Sequence, residues 1–494
     1  MNTRMLGPLV FLSVLILDPA VSEGALYRRA LTIDRTGGLA MTDIQVPVVL
    51  TPANFDYSHV EPSGQLIRFT DADQLTALTC YRESWSPGGT SIFWIRVPNI
   101  PAGSVKTVYL YHSTSPGELT PTSSDFAATF PNRYVLSAGS AQLTGNLSYD
   151  WFQIDAPATA LVAAEVPLSV TARRAVIHGT IQARGSGHTP NPNAFTNGLG
   201  PGGGQASFGA SGGGGGYGGQ GGAGYFNFAS PLPAYGTPGG GDISMGSSGA
   251  TGGNPSFPGG AGGGAVTITA QRLDVTGTVD ARGNEAPAEF GQAGSGGGSG
   301  GGVLLRAFDL RVSGTITADG GDAGIGGGGG GGGGGRVKLL YENSSAGIPT
   351  LSASGGDGDI QFPAGSGAVG SMHTGSGLPF DEVVASVGPE VGLVAVESGA
   401  LEAVRVGPPT PNPSRGQVAF RIHVDRPMSL SAEIVDVQGR RVKCLVRDDA
   451  LSAGAHELLW DHTDEAGGAV AVGIYLANVT LGGQTWTRRI AVFR

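Results

Sequence analysis

The 494 residues carry a net charge of −10, only 14% charged residues and 88 glycines. A chain of this length exceeds what one hydrophobic core organises, so about three structural units are expected. An acidic balance with no Lys/Arg cluster argues against nucleic acid as a partner. Glycine that does not fall at every third position argues against collagen, and the low charge density against disorder by self-repulsion.

The N-terminus reads as a targeting segment. Arg4 precedes an apolar run from Leu6 to Leu17, and Ala20 and Ser22 place small residues before a cleavage point. That is a secretory signal peptide over residues 1–22, too short and wrongly flanked for an anchor. No later stretch supplies the ~20 apolar residues of a spanning helix. Export from a bacterium to the extracellular space or cell surface is therefore expected.

Residues 26–118 are dense in strand signals. Leu26–Ile33, Ile44–Leu50, Leu66–Phe69, Ile92–Val97 and Val105–Tyr111 alternate apolar and polar positions between Gly and Pro turns, which predicts an antiparallel β-sandwich with Trp94, Phe69 and Trp85 in its core. The strings Tyr27–Ile33, Asn54–Tyr57, Ile67–Asp71, Tyr81–Trp85, Ile92–Ile100 and Val108–Tyr111 resemble the DUF2341 family of bacterial secreted and envelope proteins. The resemblance implies an extracytoplasmic β-sandwich and no reaction. It departs at Gln65 and Leu66, where the family commonly has an acidic residue before the Ile-Arg-Phe core.

From about Tyr134 to 376 the pattern becomes a Gly-rich parallel β-solenoid. Val266–Gly283 and Val303–Gly320 repeat one motif, with Gly277 answering Gly314 at a spacing of 37, and Val176–Gly185 is an earlier copy centred on Gly179. The first copy is followed by a Gly-rich insertion over 185–264, for which three readings stand: a disordered tongue, a flap laid over the solenoid, or further coils. Stacking aligns Gln182, Asp280 and Thr317 in one outward column and Arg184, Arg282 and Asp319 in the next. Asp280, Arg282 and Asp319 form the constellation a polysaccharide lyase or hydrolase would use. Against that, aromatic platforms and further carboxylates are missing from these strands, so a surface ladder with Arg282 paired to Asp319 across adjacent coils is the preferred reading.

Residues 377–404 read as a connector. Beyond them, 405–494 bring five alternating strands. The strings Pro411–Pro413, Val435–Val442, Ala453–His456, Trp460–Asp461 and Gly473–Tyr475 resemble the FlgD-type immunoglobulin-like domain, close to C-terminal sorting domains, which implies an attachment or secretion handle. The expected fold class is thus all-β: a β-sandwich, a parallel β-helix and an immunoglobulin-like β-sandwich. Asp461 and Asp464 beside Gly467 and Gly468 are the weak metal candidates, turn residues in the ordinary reading. The eight histidines are scattered without zinc spacing, and His178, at an outward coil position, is expected to be exposed. Cys80 and Cys444 are expected to be unpaired. No cofactor is called for. The function these features suggest is a non-enzymatic surface or matrix protein that adheres to an extracellular glycan or cell-surface protein, with the polysaccharide-active enzyme as the alternative.

Overall fold

The structure is a computed structural model. It describes residues 26–116, 119–225, 231–288, 293–376, 383, 385–393, 404–424, 427–452, 454–482 and 484–493. The segment 1–22, read from sequence as a signal peptide, lies outside these residues. Nearly all regular structure is strand, and the chain divides into two compact units, residues 1–129 with 383–494, and residues 130–382. Among the described residues no helix is long and apolar enough to cross a membrane.

The first unit opens with β1 (Leu26–Arg35), β2 (Met41–Leu50), β3 (Ile67–Thr70), β4 (Cys80–Ser84), β5 (Ser91–Ile100), β6 (Ser104–Ser113) and one turn of helix, α1 (Phe126–Thr129). Alternation sends Leu31, Ile33, Val46, Val48, Phe69, Phe93, Ile95, Val108 and Leu110 into one core. Trp94 faces the other way from Phe93 and Ile95, yet it is 0% exposed, and its indole N–H donates to Glu83 at 2.7 Å. Trp85 differs from expectation. It is half-buried at the margin, where its indole N–H reaches the Pro62 carbonyl.

The second unit is built on two parallel sheets. Its long strands are β7 (Arg133–Leu136), β9 (Gly145–Ile154), β11 (Leu168–Ile177), β13 (Ala265–Val275), β15 (Gly302–Val312), β17 (Arg336–Ala346) and β19 (Ser371–Ser376). Short strands alternate with them: β8 (Ser140–Leu143), β10 (Thr159–Val162), β12 (Thr180–Gln182), β14 (Thr278–Asp280), β16 (Thr315–Thr317) and β18 (Thr350–Ser352). The long strands form one seven-stranded parallel sheet and the short ones a six-stranded parallel sheet. Register follows the repeat: Val266, Ile268 and Val275 pair with Val303, Leu305 and Val312, and Val279 with Ile316, all within one buried cluster. At the corner, Gly277 and Gly314 stack so closely that a Cβ on Gly314 would lie 2.0 Å from the Gly277 carbonyl oxygen.

The glycine tracts form an ordered lattice joined to the coils. The N–H groups of Gly294, Gly297 and Gly300 donate to the carbonyls of Gly327, Gly330 and Gly333. Those of Gly296 and Ser299 donate to Ala250 and Ser247, and those of Gly298 and Gly301 to Asn284 and Ala281. Every third residue returns to the same neighbour, which is the three-residue period of an extended polyproline-II-type helix without internal hydrogen bonds. Three directions per turn let each run bond several others. The 185–264 insertion belongs to this lattice, since Gly212 and Gly215 donate to Gly294 and Gly297, and Gly219 and Gly222 to Gly334 and Gly331. In its described residues it is therefore neither a disordered tongue nor a set of further coils. Two cations pin it. Lys338, 0% exposed, donates to the Gly239 carbonyl and to Asp242, and Arg336 donates to the carbonyls of Tyr235 and Gly236 while stacking over Tyr217.

After the solenoid the chain returns to the first sheet. The strand β20 (Ala385–Leu393) pairs with β1 antiparallel along most of its length, giving the order β3-β6-β1-β20-β2-β5-β4. The segment 377–404, read from sequence as a connector, thus contains a central strand, and the parallel-stranded unit is inserted in sequence between two strands of the N-terminal sheet. The two stacked sheets expected of a sandwich are here one hydrogen-bonded sheet of seven strands. Residues 122–125 bond to both of its edges: Thr122 N–H reaches Ile67 O on β3, and Asp125 N–H reaches Cys80 O on β4. A sheet whose two edges share one short segment has to curl.

The chain ends in β21 (Val404–Val406), β22 (Val418–Val424), β23 (Met428–Asp436), β24 (Arg441–Leu451), β25 (Gly454–Trp460), β26 (Gly473–Leu481) and β27 (Gln484–Val492). They form antiparallel sheets of three and four strands around a core holding Phe420, Ile434, Trp460 and Val479.

Candidate functional site

The residues on the short parallel strands come first. Asp280 ends β14 in register with Gln182 and Thr317, as the stacking predicts. Its surroundings differ from expectation: it is only 7% exposed, and Arg282 closes on it from the same coil, with Nε at 2.9 Å and a terminal nitrogen at 2.7 Å from its two oxygens. Two residues apart on one strand face, these side chains meet without spanning the gap between coils. Partial burial pushes the Asp280 carboxyl up, but the hydrogen bonds from Arg282 outweigh it and hold the group below its usual range. The expected Arg282–Asp319 pair is replaced. Asp319 accepts instead from the Ser352 hydroxyl and from the Ser354 N–H at 2.7 Å. All three side chains are engaged by their neighbours.

Asp461 and Asp464 are also committed. Asp461 accepts from the Thr463 hydroxyl at 2.6 Å and Lys443 at 3.1 Å, and these contacts bring its carboxyl down to about 2. Asp464 accepts from the N–H groups of Ala466 and Gly468. Each closes its own turn, and among the described residues no group of three acidic, His or Cys side chains is placed to hold a metal. Cys80 is buried and Cys444 half-buried, both unpaired, and burial pushes the Cys80 thiol up to about 12.

The histidines treated as scattered are partly gathered. Glu390 on β20 sits between His59, on a 3-10 turn (Tyr57–His59), and His112 on β6. One carboxylate oxygen meets His59 Nδ1; the other lies 3.2 Å from His112 Nε2 and 2.9 Å from Arg29 on β1. Tyr27 stacks on His59 with ring centroids 4.2 Å apart, and His112 Nδ1 lies 2.8 Å from the His59 carbonyl. Desolvation raises the Glu390 carboxyl, but hydrogen bonding from His112 and His59 and the charge of Arg29 bring it down to about 2. Beside the cluster runs a groove of about 520 Å³ lined by Arg29, Asn54, Phe55, Asp56 and Tyr57, among others. Among the described residues no Ser, Thr or Cys side chain hydrogen-bonds to either imidazole. The cluster therefore has the make-up of a fastening for β20, and lacks the nucleophile that would complete a triad. Sequence reasoning missed it because Glu390 stands 331 residues from His59, and only the pairing of β20 with β1 brings them together.

Comparison with known proteins places a family on part of the first unit. The model described as a domain of unknown function, DUF2341, matches residues 63–132, covering β3 to β6 and α1 and stopping short of the 26–62 stretch that the motifs had suggested. No curated protein matches the chain. Among solved structures, PorZ, described as an essential bacterial surface component of the type-IX secretion system of Porphyromonas gingivalis, matches at 24% identity with a TM-score of 0.14; the match covers 20% of this chain and 13% of PorZ. Residues 63–132 are thus a DUF2341 domain, in a chain whose remaining length is strand-built around a parallel, glycine-stacked insertion.

Proposed function

We propose that this chain is an exported bacterial surface or matrix protein without catalytic activity. Its solenoid presents a regular face to an extracellular glycan or cell-surface protein, and residues 405–494 serve as a FlgD-type anchoring or sorting module. The observation that carries the reading is the stack of parallel coils set whole between β6 and β20 and stiffened by a backbone lattice. Such a stack repeats one surface many times over. The ion pair of Asp280 with Arg282 and the capped Asp319 favour binding over cleavage, since each carboxylate is already engaged.

Expression of the full chain in a bacterium, followed by fractionation and N-terminal sequencing, tests the location. A mature form lacking residues 1–22 outside the cytoplasm is expected, as is loss of attachment when 405–494 are removed. An exclusively cytosolic pool with an intact N-terminus overturns the reading. Depolymerisation of acidic or neutral glycans that disappears in the Asp280→Ala/Asp319→Ala variant replaces it with the polysaccharide-active enzyme.

A further inference from the structure

The short-strand sheet carries a column of hydroxyls that the proposed function leaves unassigned. Thr159, Thr180, Thr278, Thr315 and Thr350 pair in register, each with the next, and Ser140 precedes them. Their neighbours along each strand, Ala160, Ile181, Val279 and Ile316, are in the core, so alternation turns the threonines outward. All five are half-buried or exposed. None of their hydroxyls is hydrogen-bonded within the described structure.

We propose that this face binds a neutral, linear polysaccharide lying along the solenoid axis, an extended β-1,4-linked chain being the best fit. The inference rests on the surface-protein reading above and names its ligand class. Parallel strands lie about 4.8 Å apart, so the coils present one hydroxyl at each such step. That step is close to the rise of one pyranose in an extended β-1,4 chain, so successive sugars meet equivalent threonines. A threonine hydroxyl both donates and accepts, as sugar hydroxyls do, and β-branching holds it in few rotamers before the ligand arrives. The adjoining columns set the charge. Asp280 is closed by Arg282, Arg184 pairs with Glu285 at 3.0 Å, and Asp319 is capped by Ser352 and Ser354. A face whose charges are satisfied in this way offers a polyanion little to pair with. Ordered ice is a poorer occupant, because the charged and imidazole side chains of Arg184, Arg282 and exposed His178 flank the hydroxyl column.

The test is affinity electrophoresis of the full chain through gels containing β-1,4-glucan, β-1,4-xylan, β-1,4-mannan or polygalacturonate. Retardation by at least one neutral polymer is expected. The Thr278→Val/Thr315→Val variant keeps side-chain shape while deleting two hydroxyls, and should bind about tenfold more weakly. Thr278→Ser/Thr315→Ser should bind as the wild type does, and so should Thr171→Val on the long-strand sheet. Melting curves confirm that each variant is folded. Equal binding by the valine variant, retardation by polygalacturonate alone, retardation by none of the four polymers, or freezing hysteresis without glycan binding overturns the proposal. The fractionation and cleavage results stand or fall separately, so failure here is distinguishable from failure of the broader reading.

Discussion

Two parts of the parallel-stranded unit are held by opposite means. Around Val279 and Ile316 the coils stack through side chains, a column of apolar groups buried in register. Around Gly297 and Gly330 they stack mainly through the backbone, each run hydrogen-bonding its neighbours, with only small side chains such as Ser295 and Ser299 between them. In the first part a side chain is required and its polarity is what matters. In the second a side chain at a closely approached glycine is an obstruction. One chain thus obeys two rules, and a substitution has to be judged by the part in which it falls.

The largest expected effect tests the apolar part. Ile316 is 0% exposed, so Ile316→Asp buries a carboxylate without a partner and should cost more than about 4 kcal/mol, seen as a lost or broadened transition in denaturant. Next comes the lattice. A Cβ on Gly297 would lie 1.9 Å from the Gly321 carbonyl oxygen, whereas one on Gly239 meets nothing closer than 3.9 Å. Gly297→Ala should cost about 1–3 kcal/mol and Gly239→Ala close to nothing, measured by thermal melting. Equal tolerance of the two would mean that the tracts are a loose tether.

The return strand β20 follows neither rule, being fastened partly by charge. Glu390 has its carboxyl lowered from 4.5 to about 2, so its contribution to stability is fully present above pH 4.5 and is lost as the pH falls through 2. The stability gap between wild type and Glu390→Gln should narrow across that window in pH-dependent denaturation, and a gap that stays constant would remove Glu390 from the fastening. A small effect is expected from Thr317→Asp, outward and next to Ile316. It sets a second carboxylate beside Asp280, 3.3 Å from the present hydroxyl, and should cost about 0.5–1 kcal/mol, falling with added salt.

The two rules also explain what could be read in advance. Val266, Val303 and their neighbours announce themselves because inward positions need apolar side chains at period two, and Gly277 and Gly314 fix the corner, so coils and register were legible. The lattice was not. Glycine names no partner, and whether Gly212 bonds Gly294 or solvent is decided by runs far away in sequence. β20 escaped notice because Pro389 interrupts its pattern, and proline ordinarily argues against a central strand. Without β20 the His59–Glu390–His112 cluster was invisible, since the strands read for the N-terminal domain all lay within residues 26–118. The Arg282–Asp280 closure was missed for a smaller reason: column geometry alone does not say whether an arginine reaches along its own strand or across to the next coil.

The strands β6 and β20 lie on either side of β1. The chain leaves that sheet at the Leu26 end of β1, where Ser113 pairs, and re-enters it at the Ile33 end, where Ala385 pairs. Nothing in the pairing of β1 with its two neighbours depends on how many coils lie between. Coil number is then a free variable of the architecture. Duplication or deletion of whole repeats, cut at equivalent corners such as Gly277 and Gly314, would lengthen or shorten the threonine column in steps of one residue without re-registering the sheet that carries it.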